Sequence, residues 1–372
     1  MHNHQKIARL GFALISLTFT LACNSNKSLK PQGAESSGES NSILGAGSTF
    51  IYPIMTRWIS SFQTSHPGVQ INYQSIGSGG GIQQLKQGLV DFGASDAALD
   101  DEHLKDMPAL VQIPESAGPV CITYNLPELK TPLKLSAATL SGIFLGKIKT
   151  WQDPAVKKDN PGVSLSNIPI VVAHRSDGSG TTNIFTTYLA KVSPEWAKQV
   201  GKGISVSWPT GLGGKGSEGV TGVIKQTQGA IGYVELTYAK ENNLPVAQVR
   251  NQAGNWVDAS PATTTAAIDA FSDDLAKDVR TPIVDPPASA RDAYPICGLT
   301  YLLVPKQGKD AKKTEVVKNF VQYIITDGQA SAEQLAYAKL PATLADQDQK
   351  LLGEIVANGQ PGQATTSASM GK

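Results

Sequence analysis

The sequence is poor in the residues on which many enzymes and nucleic-acid-binding proteins depend. Its 372 residues include only five histidines and three cysteines, and basic and acidic residues nearly balance at a formal net charge of +1. This balance argues against a general nucleic-acid binder, which would show a basic face. No set of histidines and carboxylates has metal-ligand spacing, so no metal site is expected. Any anion is therefore held locally and not by the field of the whole protein.

The apolar run near the N-terminus, residues 10–22, is too short to span a membrane and fits a signal-peptide core. Lys6 and Arg9 precede it, so residues 1–22 are expected to be a signal peptide. The position before Cys23 resembles a bacterial lipoprotein cleavage site, after which this cysteine becomes the lipidated first residue. The alternative is a plain secretory signal cut nearby. Both predict an exported protein, in the periplasm or at the cell surface, and lipidation would anchor it to a membrane.

Two segments at the ends of the chain have little to bury. Residues 23–42 begin with the cysteine and continue in Ser, Asn, Gly and Lys, which predicts a flexible tether. The tail after Gly359 is also rich in small polar residues and is expected to be loose. The chain as a whole is 40% apolar and 17% charged, which fits a packed protein of about two ordinary domains.

Two cysteines other than Cys23 lie in similar apolar surroundings. Cys121 follows Pro119-Val120 and Cys297 follows Pro295-Ile296, and both runs are strand-like. In an exported protein such a pair suggests a disulfide. Two buried free thiols that act as small hydrophobes are an equally open alternative.

Three segments rich in glycine and hydroxyl residues each precede a helix-like pattern. They are residues 46–50, 77–81 and 175–181. A helix N-terminus offers unpaired N–H donors and the positive end of a dipole, and glycine lets the backbone approach a ligand closely. One such segment is usually only a helix cap. Three of them in one chain favour a site for a small oxyanion.

Asp96 stands at the carboxyl end of a short apolar strand, where ligands bind in open α/β sheets. A carboxylate repels an anion unless the ligand carries a proton, from which Asp96 would accept a hydrogen bond. Phosphate carries that proton at neutral pH and sulfate does not, so Asp96 would select between them. The alternative is a helix cap or an ion-pair residue. Arg175 offers a planar fork of donors to a tetrahedral anion, and Asp177 is placed to hold it.

Taken together, these segments resemble the PstS family, the phosphate-binding proteins of the bacterial phosphate ABC transporter. The matching motifs are Gly45-Ala46-Gly47-Ser48-Thr49-Phe50, Gly77-Ser78-Gly79-Gly80-Gly81, Asp91-Phe92-Gly93-Ala94-Ser95-Asp96 and Arg175-Ser176-Asp177-Gly178-Ser179-Gly180-Thr181. The resemblance implies an α/β, two-lobed periplasmic-binding-protein fold of type II. Each lobe would be a mixed sheet flanked by helices, with the ligand in the cleft between the lobes.

The resemblance also implies which residues contact phosphate. The inferred contacts are Thr49, the N–H of Phe50, Ser78, Asp96, Arg175, Ser179, the N–H of Gly180, and Thr181. Asp177 would pair with Arg175. Two residues depart from the family's pattern: Ser48 replaces a common small apolar residue, and His174 precedes the arginine. Neither is expected to touch the inferred contacts, and His174 is interpreted as a strand-end residue without a role.

The family further implies a discontinuous first lobe, residues 43–118 with 296–372, and a second lobe of residues 119–295. The chain would cross between them near residues 118–121 and 294–297 and allow hinge closure. The implied ligand is inorganic phosphate, with no cofactor. The implied partners are the permease subunits and the ATPase of the phosphate ABC transporter, with no nucleic acid. A monomer is expected.

Two other functions compete with phosphate transport. A secreted phosphatase would use Ser78 or Ser179 as nucleophile, but no general base lies near either serine in sequence. A binder of sulfate, molybdate or a phosphonate is the second.

The glycine-rich residues 208–216 lack the Lys-Ser/Thr of a nucleotide-binding loop and are predicted to form a surface loop. The leading hypothesis is therefore a binding protein and not an enzyme.

Overall fold

The computed structural model describes residues 41–357 of the chain. The predicted signal peptide, the lipidation site at Cys23, nearly all of the tether and the C-terminal tail from residue 358 lie outside the described residues. Strand β1 begins at Ser42, one residue before the predicted start of the folded part. Within residues 41–357, no helix has the length and apolar character needed to cross a membrane.

Among residues 41–357, the strands form one eight-stranded sheet and two small ones. The large sheet has the order β2-β1-β3-β11-β4-β8-β6-β7, and β10-β9-β5 and β12-β13 are separate. The strands are β1 Ser42–Gly47, β2 Gln70–Ser75, β3 Phe92–Ser95, β4 Leu110–Tyr124, β5 Lys134–Leu135, β6 Val171–Arg175, β7 Leu212–Gly214, β8 Ala230–Glu235, β9 Gln248–Arg250, β10 Trp256–Val257, β11 Cys297–Pro305, β12 Gln307–Gly308 and β13 Val356–Ala357.

Helices alternate with these strands over most of the chain, as the predicted α/β class requires. They are α1 Tyr52–Ser65, α2 Ser78–Lys86, α3 Asp101–Leu104, α4 Ala137–Phe144, α5 Pro154–Asp159, α6 Gly180–Val192, α7 Pro194–Gln199, α8 Gly216–Gln226, α9 Leu236–Glu241, α10 Pro261–Asp269, α11 Ser272–Lys277, α12 Ala311–Ile325 and α13 Ala342–Gly353. Two 3-10 turns, Asp327–Ser331 and Glu333–Leu335, follow α12.

The long strand β4 joins two parts of the large sheet. Its segment from Leu110 to Pro119 pairs antiparallel with β11 except at Glu115, and from Val120 onward it pairs antiparallel with β8. We call β2, β1, β3 and β11 the first half of the sheet, and β8, β6 and β7 the second half. All fifteen residues of β4 are buried, as expected of a central strand covered on both faces.

Each half contributes its own group of aromatic rings to one continuous hydrophobic core. In the first half, α1 buries Trp58 and Phe62 at helical spacing, and Phe62 packs edge-on against Phe320 of α12. In the second half, Phe144 and Phe185 pack around Tyr233 of β8. Burying one such side chain stabilises the fold by about 1.5–3 kcal/mol. These groups of aromatic rings fix the ends of the strands that carry the functional loops.

Cys121 and Cys297 are free buried thiols in the structure. The Cys297 sulfur lies 3.3 Å from the carbonyl oxygen of Tyr294. Burial raises the pKa of the Cys297 thiol to about 12 and raises that of Cys121 as well. Of the two alternatives left open by the sequence, the structure contains the free thiols and not the disulfide.

The prediction that residues 208–216 form a surface loop is partly wrong: residues 208–211 are a loop and most of the segment is exposed, but its later part is regular structure. Leu212–Gly214 is strand β7, which pairs parallel with β6, and α8 starts directly afterwards at Gly216. A Cβ on Gly214 would lie 2.4 Å from the carbonyl carbon of Gly219. The glycines therefore serve close packing between a strand and the following helix, which composition alone does not separate from a loop.

Candidate functional site

The loops at the carboxyl ends of β1, β3 and β6 meet around one carboxylate and one guanidinium. Asp96 follows β3, Arg175 ends β6, and both residues are only 4% exposed. Helices do begin at the three glycine-hydroxyl segments: α1 starts just after residues 46–50, at Tyr52, whereas α2 and α6 start within residues 77–81 and 175–181, at Ser78 and Gly180. The structure thus gathers all eight predicted contact residues into one buried cluster spanning both halves of the sheet.

Ser48, in the loop after β1, bonds directly to the cluster. Its hydroxyl donates to Asp96 Oδ1 and accepts the backbone N–H of Phe50 at 3.0 Å. The expectation that Ser48 does not touch the inferred contacts is therefore wrong. It failed because Ser48 and Asp96 directly follow the neighbouring parallel strands β1 and β3, whose carboxyl ends meet.

Thr49 connects the first half of the sheet to the second. Its Oγ1 accepts a hydrogen bond from Arg175 Nη1 at 3.0 Å and lies 2.8 Å from Ser217 Oγ of α8. The hydroxyl of Tyr238 on α9 lies 2.7 Å from the Thr49 carbonyl oxygen and 3.0 Å from Glu218 Oε1. Side chains of the second half therefore surround Thr49.

The turn before α2 needs glycine because it approaches the third segment closely. Gly77 has a φ of +83°, and a Cβ there would lie 2.4 Å from Asp177 Oδ2. Ser78 Oγ accepts the N–H of Gly180 at 3.0 Å and that of Asp96 at 3.3 Å. The Ser78 hydroxyl proton is left to donate elsewhere.

Arg175 is held by a two-pronged ion pair with Asp177. Nε lies 2.8 Å from Oδ1 and Nη2 lies 2.5 Å from Oδ2, and the N–H of Gly216 also donates to Oδ1 at 3.0 Å. Burial alone would raise the pKa of Asp177, but the Arg175 hydrogen bonds and charge hold it below its usual range. The side chains are 2% and 15% exposed, so this is not a solvent-exposed ion pair.

The start of α6 supplies the other side of the cluster. Ser179 Oγ caps the helix by accepting the N–H of Thr182 at 3.1 Å, and Thr181 Oγ1 donates to Asp96 Oδ2 at 3.3 Å. A Cβ on Gly180 would lie 2.6 Å from both Asp96 Cβ and Ser78 Oγ. Glycine is thus required here for the two halves to meet.

Burial and the surrounding polar contacts have opposite effects on the pKa of Asp96. Burial raises the pKa of Asp96 to about 6, and the hydrogen bond from Ser48, the Arg175 charge, Thr300 and Thr181 partly offset that rise. Asp96 is therefore mostly ionised at neutral pH and acts as an acceptor amid hydroxyl and N–H donors.

His174 contributes no positive charge to this arrangement at neutral pH. Its ring stacks on Trp208 with centroids 4.8 Å apart, and Nδ1 lies 3.0 Å from the Arg175 carbonyl oxygen. Burial lowers the pKa of His174. The imidazole is thus neutral and packs beside the cluster.

Ser78 and Ser179 lack the partners of a catalytic nucleophile. In residues 41–357 their side-chain hydrogen bonds come from backbone N–H groups, and none involves a histidine. The same range contains no group of three or more His, Cys, Asp or Glu side chains placed to hold a metal ion.

Sequence reasoning missed Ser217 and Tyr238, which both contact Thr49. Ser217 carried a usable signal, because it follows Gly213-Gly214-Lys215-Gly216 at a helix start, the same composition as the three segments that were singled out. Tyr238 carried none, since a tyrosine near a strand end is usually a packing residue.

The chain is similar to known proteins over most of its length. A family model described as a PBP superfamily domain matches residues 32–328. The chain is 43% identical over 321 residues to Phosphate-binding protein PstS of Xylella fastidiosa (strain Temecula1), covering 86% of this chain and 87% of that one. It is 43% identical over 305 residues to Phosphate-binding protein PstS of Haemophilus influenzae, covering 82% and 90%.

A solved structure shows a similar fold. It is the high-affinity periplasmic phosphate-binding protein PfluDING bound with phosphate, with a TM-score of 0.65 and 24% identity, over 83% of this chain and 93% of that one. Together with the superfamily match, this likeness confirms the predicted periplasmic-binding-protein fold.

Proposed function

The chain belongs to the PstS family of phosphate-binding proteins within the PBP superfamily, and from that membership we propose that it binds inorganic phosphate with high affinity outside the cytoplasmic membrane. It then delivers the phosphate to the permease subunits of a phosphate ABC transporter for import, driven by the transporter's ATPase. The observation that carries the proposal is one buried acceptor, Asp96, set among donors and a single guanidinium, Arg175.

The proposed contacts divide into donors and one acceptor. The hydroxyls of Thr49, Ser78, Ser179 and Thr181, the N–H groups of Phe50 and Gly180, and the guanidinium of Arg175 donate to phosphate oxygens. Asp96 accepts a hydrogen bond from the O–H of hydrogen phosphate. Sulfate has no proton at neutral pH, so it would set a buried carboxylate against an oxygen that cannot donate. Selection thus comes from the acceptor, and affinity from the donors.

The proposed lobes are residues 43–118 with 296–372, and residues 119–295. Their boundary is supported by the change of pairing partner along β4 between Pro119 and Val120. Contacts between the halves of the sheet run through the site, including Gly79 N–H to the Gly178 carbonyl at 3.0 Å. Closing the lobes over phosphate would exclude water and strengthen each hydrogen bond.

The proposed location follows from the N-terminal segment and the family. The protein is exported, lies in the periplasm or at the cell surface, and is anchored through a lipid on Cys23. The binding domain acts as a monomer and uses no cofactor.

Titration calorimetry of the mature chain with phosphate tests the proposal, with sulfate, molybdate and a phosphonate as competitors. We expect a dissociation constant of about micromolar or tighter for phosphate, with at most weak competition by sulfate. No heat of binding at micromolar phosphate would overturn the proposal, and equal displacement by sulfate would reassign the ligand.

Binding without turnover is part of the same proposal. It is supported by the absence of a base beside Ser78 and Ser179 among the described contacts. Hydrolysis of a chromogenic phosphate ester that is lost in Ser78→Ala or Ser179→Ala would contradict it.

A further inference from the structure

A second buried carboxyl group, Glu115 of β4, lies close to Asp96. Its side chain is fully buried, and Oε1 accepts a hydrogen bond from the hydroxyl of Thr300 on β11 at 3.0 Å. Oε2 has no hydrogen-bond partner among the described residues. No nitrogen of a described lysine, arginine or histidine lies within 4.0 Å of it, as the ion pairs among residues 41–357 show. The phosphate site described above does not use this group.

A β-bulge places Glu115 there. In the pairing of β4 with β11, Thr300 lies opposite Ser116 but Tyr301 lies opposite Pro114, so Glu115 is the extra residue. Bulges beside functional sites re-aim side chains that a regular ladder would direct elsewhere. Strand β11 lies between β3 and this part of β4, and Tyr301 next to the bulge pairs with Ser95 on one side and Pro114 on the other.

Thr300 lies between the two carboxyl groups. In the antiparallel pairing of β11 with β3, Tyr301 faces Ser95, so Thr300 is next to Asp96. The Thr300 hydroxyl lowers the pKa of Asp96 as well as that of Glu115. A hydroxyl has one proton and two lone pairs, so Thr300 can donate to only one carboxyl group at a time.

The two carboxyl groups do not compete equally for a proton. Asp96 has hydrogen bonds from Ser48 and Thr181 and the charge of Arg175, whereas Glu115 has Thr300 alone. Burial, together with the charge of Asp96, raises the pKa of Glu115 to about 8, above the value of about 6 for Asp96. Two adjacent buried carboxyls share one proton, and the better solvated one ionises first.

The other groups that face Glu115 do not change this order. Tyr73 of β2 is the second titratable neighbour, and burial raises its pKa, so its phenol is neutral. Gln329, after α12, donates to the Glu115 backbone carbonyl at 2.9 Å and carries no charge. In the structure the Thr300 hydroxyl donates to Glu115 Oε1. A protonated Glu115 can instead donate to Thr300, which frees the Thr300 hydroxyl proton to turn toward Asp96, the residue opposite it after β3.

We propose that Glu115 is a positioning residue of the phosphate site, which stays protonated at neutral pH and, through Thr300, keeps Asp96 an ionised acceptor for the protonated oxyanion. This inference rests on the proposed function. When Glu115 loses its proton at alkaline pH, Thr300 turns to donate to it, and a second buried negative charge lies behind the ligand. Phosphate binding then weakens for a reason that lies in the protein and not in the titration of phosphate.

The first test compares the pH dependence of the phosphate dissociation constant in wild type, Glu115→Gln and Asp348→Asn. Asp348 on α13 is a matched control, because burial also raises its pKa to about 8 and none of its described contacts is with a proposed phosphate contact. From about pH 7 to about pH 9.5, we expect wild type and Asp348→Asn to weaken about tenfold more than Glu115→Gln. An alkaline decline in Glu115→Gln equal to that of wild type would overturn the proposal.

The second test uses Thr300. Thr300→Val removes a donor from Asp96, so the acid limit of binding should move to higher pH and affinity near neutral pH should fall about three- to tenfold. Thr300→Ser should restore both. A purely structural role would lower the melting temperature without moving the pH profile. This pair decides the question if Glu115→Gln does not fold, and an unshifted profile in a folded Thr300→Val would contradict the inference.

Infrared difference spectra separate this inference from the proposed function. Near neutral pH and without phosphate, wild type should show the carbonyl band of a protonated carboxylic acid whose intensity falls in Glu115→Gln. An unchanged band would overturn the inference even if phosphate binds. A reduced band in a protein that does not bind phosphate would leave Glu115 protonated and reject the proposed function instead.

Discussion

The hydroxyl of Ser48 donates a hydrogen bond to the carboxylate of Asp96 and accepts the backbone N–H of Phe50. Asp96 and Phe50 are both proposed phosphate contacts. Phosphate must therefore share or replace these two bonds when it binds. A position that the sequence marked only as a departure from the family's pattern thus competes with the proposed ligand for its acceptor and for one of its donors.

Replacing Ser48 by alanine should strengthen phosphate binding. The change frees the Asp96 acceptor and the Phe50 N–H, each of which is engaged by one hydrogen bond worth about 0.5–1.5 kcal/mol net. We expect an affinity about three- to tenfold higher near pH 8, measured by calorimetry. Ser60→Ala, at an exposed serine of α1, is the control and should change nothing. Weaker binding in Ser48→Ala would mean that the hydroxyl supports the ligand.

Phosphate affinity should fall as the pH drops through about 6. Burial raises the pKa of Asp96 to about 6. Below that pH the carboxylate becomes a neutral acid, so it no longer accepts the hydrogen bond from the ligand O–H as an ionised acceptor. Dissociation constants measured from about pH 5 to about pH 8 check this expectation. Asp96→Asn should remove the acid limit, and its amide should let sulfate compete. An unaltered acid limit in Asp96→Asn would assign the titration to another group.

The sequence predicted the parts of the site that are local in the chain. Each glycine-hydroxyl segment can be recognised within about six consecutive residues, because close backbone approach and helix capping depend on residues that are near in sequence. The neighbours of Thr49 are different. Ser217 lies 168 positions away along the chain and reaches Thr49 only because α8 starts beside β7. Contacts of this kind depend on strand order, which no single segment encodes.

The fold was predictable to a similar extent. Alternating strands and helices indicated the α/β class, and the family resemblance implied the periplasmic-binding-protein fold. The bulge that inserts Glu115 was not predictable, because Pro114, Glu115 and Ser116 look like an ordinary polar interruption until β11 is laid beside them. Strand β7 was missed because its glycines pack against α8 instead of forming a turn.

Removing the guanidinium should weaken binding most. Arg175→Ala deletes the guanidinium that donates to Thr49 and leaves the partly buried Asp177 without its partner. Hydrogen bonds to charged groups are worth about 1.5–3 kcal/mol, so phosphate affinity should fall about ten- to a hundredfold or more. The double variant Arg175→Ala/Asp177→Ala should recover thermal stability but not affinity. Recovery of affinity in the double variant would show that the unpaired Asp177, and not the missing charge, caused the loss.

Stability should decline between mildly acidic and neutral pH because of Glu235. Burial raises the pKa of Glu235 to about 8 from an ordinary value of 4.5. Between those values the folded protein keeps a proton that the unfolded chain has released. The free energy of unfolding therefore falls with rising pH, by about 1.4 kcal/mol per pH unit from this group. Glu235 contributes its full stabilisation at pH values below its pKa in the unfolded chain. This stabilisation is lost as the pH rises to the pKa of Glu235 in the folded protein.

Urea unfolding of Glu235→Gln from about pH 5 to about pH 7.5 measures this slope. The variant should be less steep than wild type, since Gln cannot titrate yet can still accept the Thr237 N–H that Glu235 accepts at 2.8 Å. Glu241→Gln, at an exposed position of α9, should keep the wild-type slope. Equal slopes in all three proteins would show that Glu235 ionises normally in the folded state.

Tyr238→Phe should loosen the contact between the two halves of the sheet. The Tyr238 hydroxyl lies between the Thr49 carbonyl oxygen, which follows β1, and Glu218 of α8. Deleting it removes a bond between the halves and leaves the Glu218 carboxylate facing an apolar ring edge. We expect phosphate affinity to fall about three- to tenfold, through faster dissociation.

Tyr188→Phe is the matched control, because the buried Tyr188 hydroxyl has no hydrogen-bond partner among the described residues. Stopped-flow dissociation rates should rise in Tyr238→Phe and stay unchanged in Tyr188→Phe. Small-angle scattering with saturating phosphate should give the same radius of gyration for both variants, since the ligand itself holds the lobes together once bound. A slower association rate with unchanged dissociation would instead assign Tyr238 to the path by which phosphate enters.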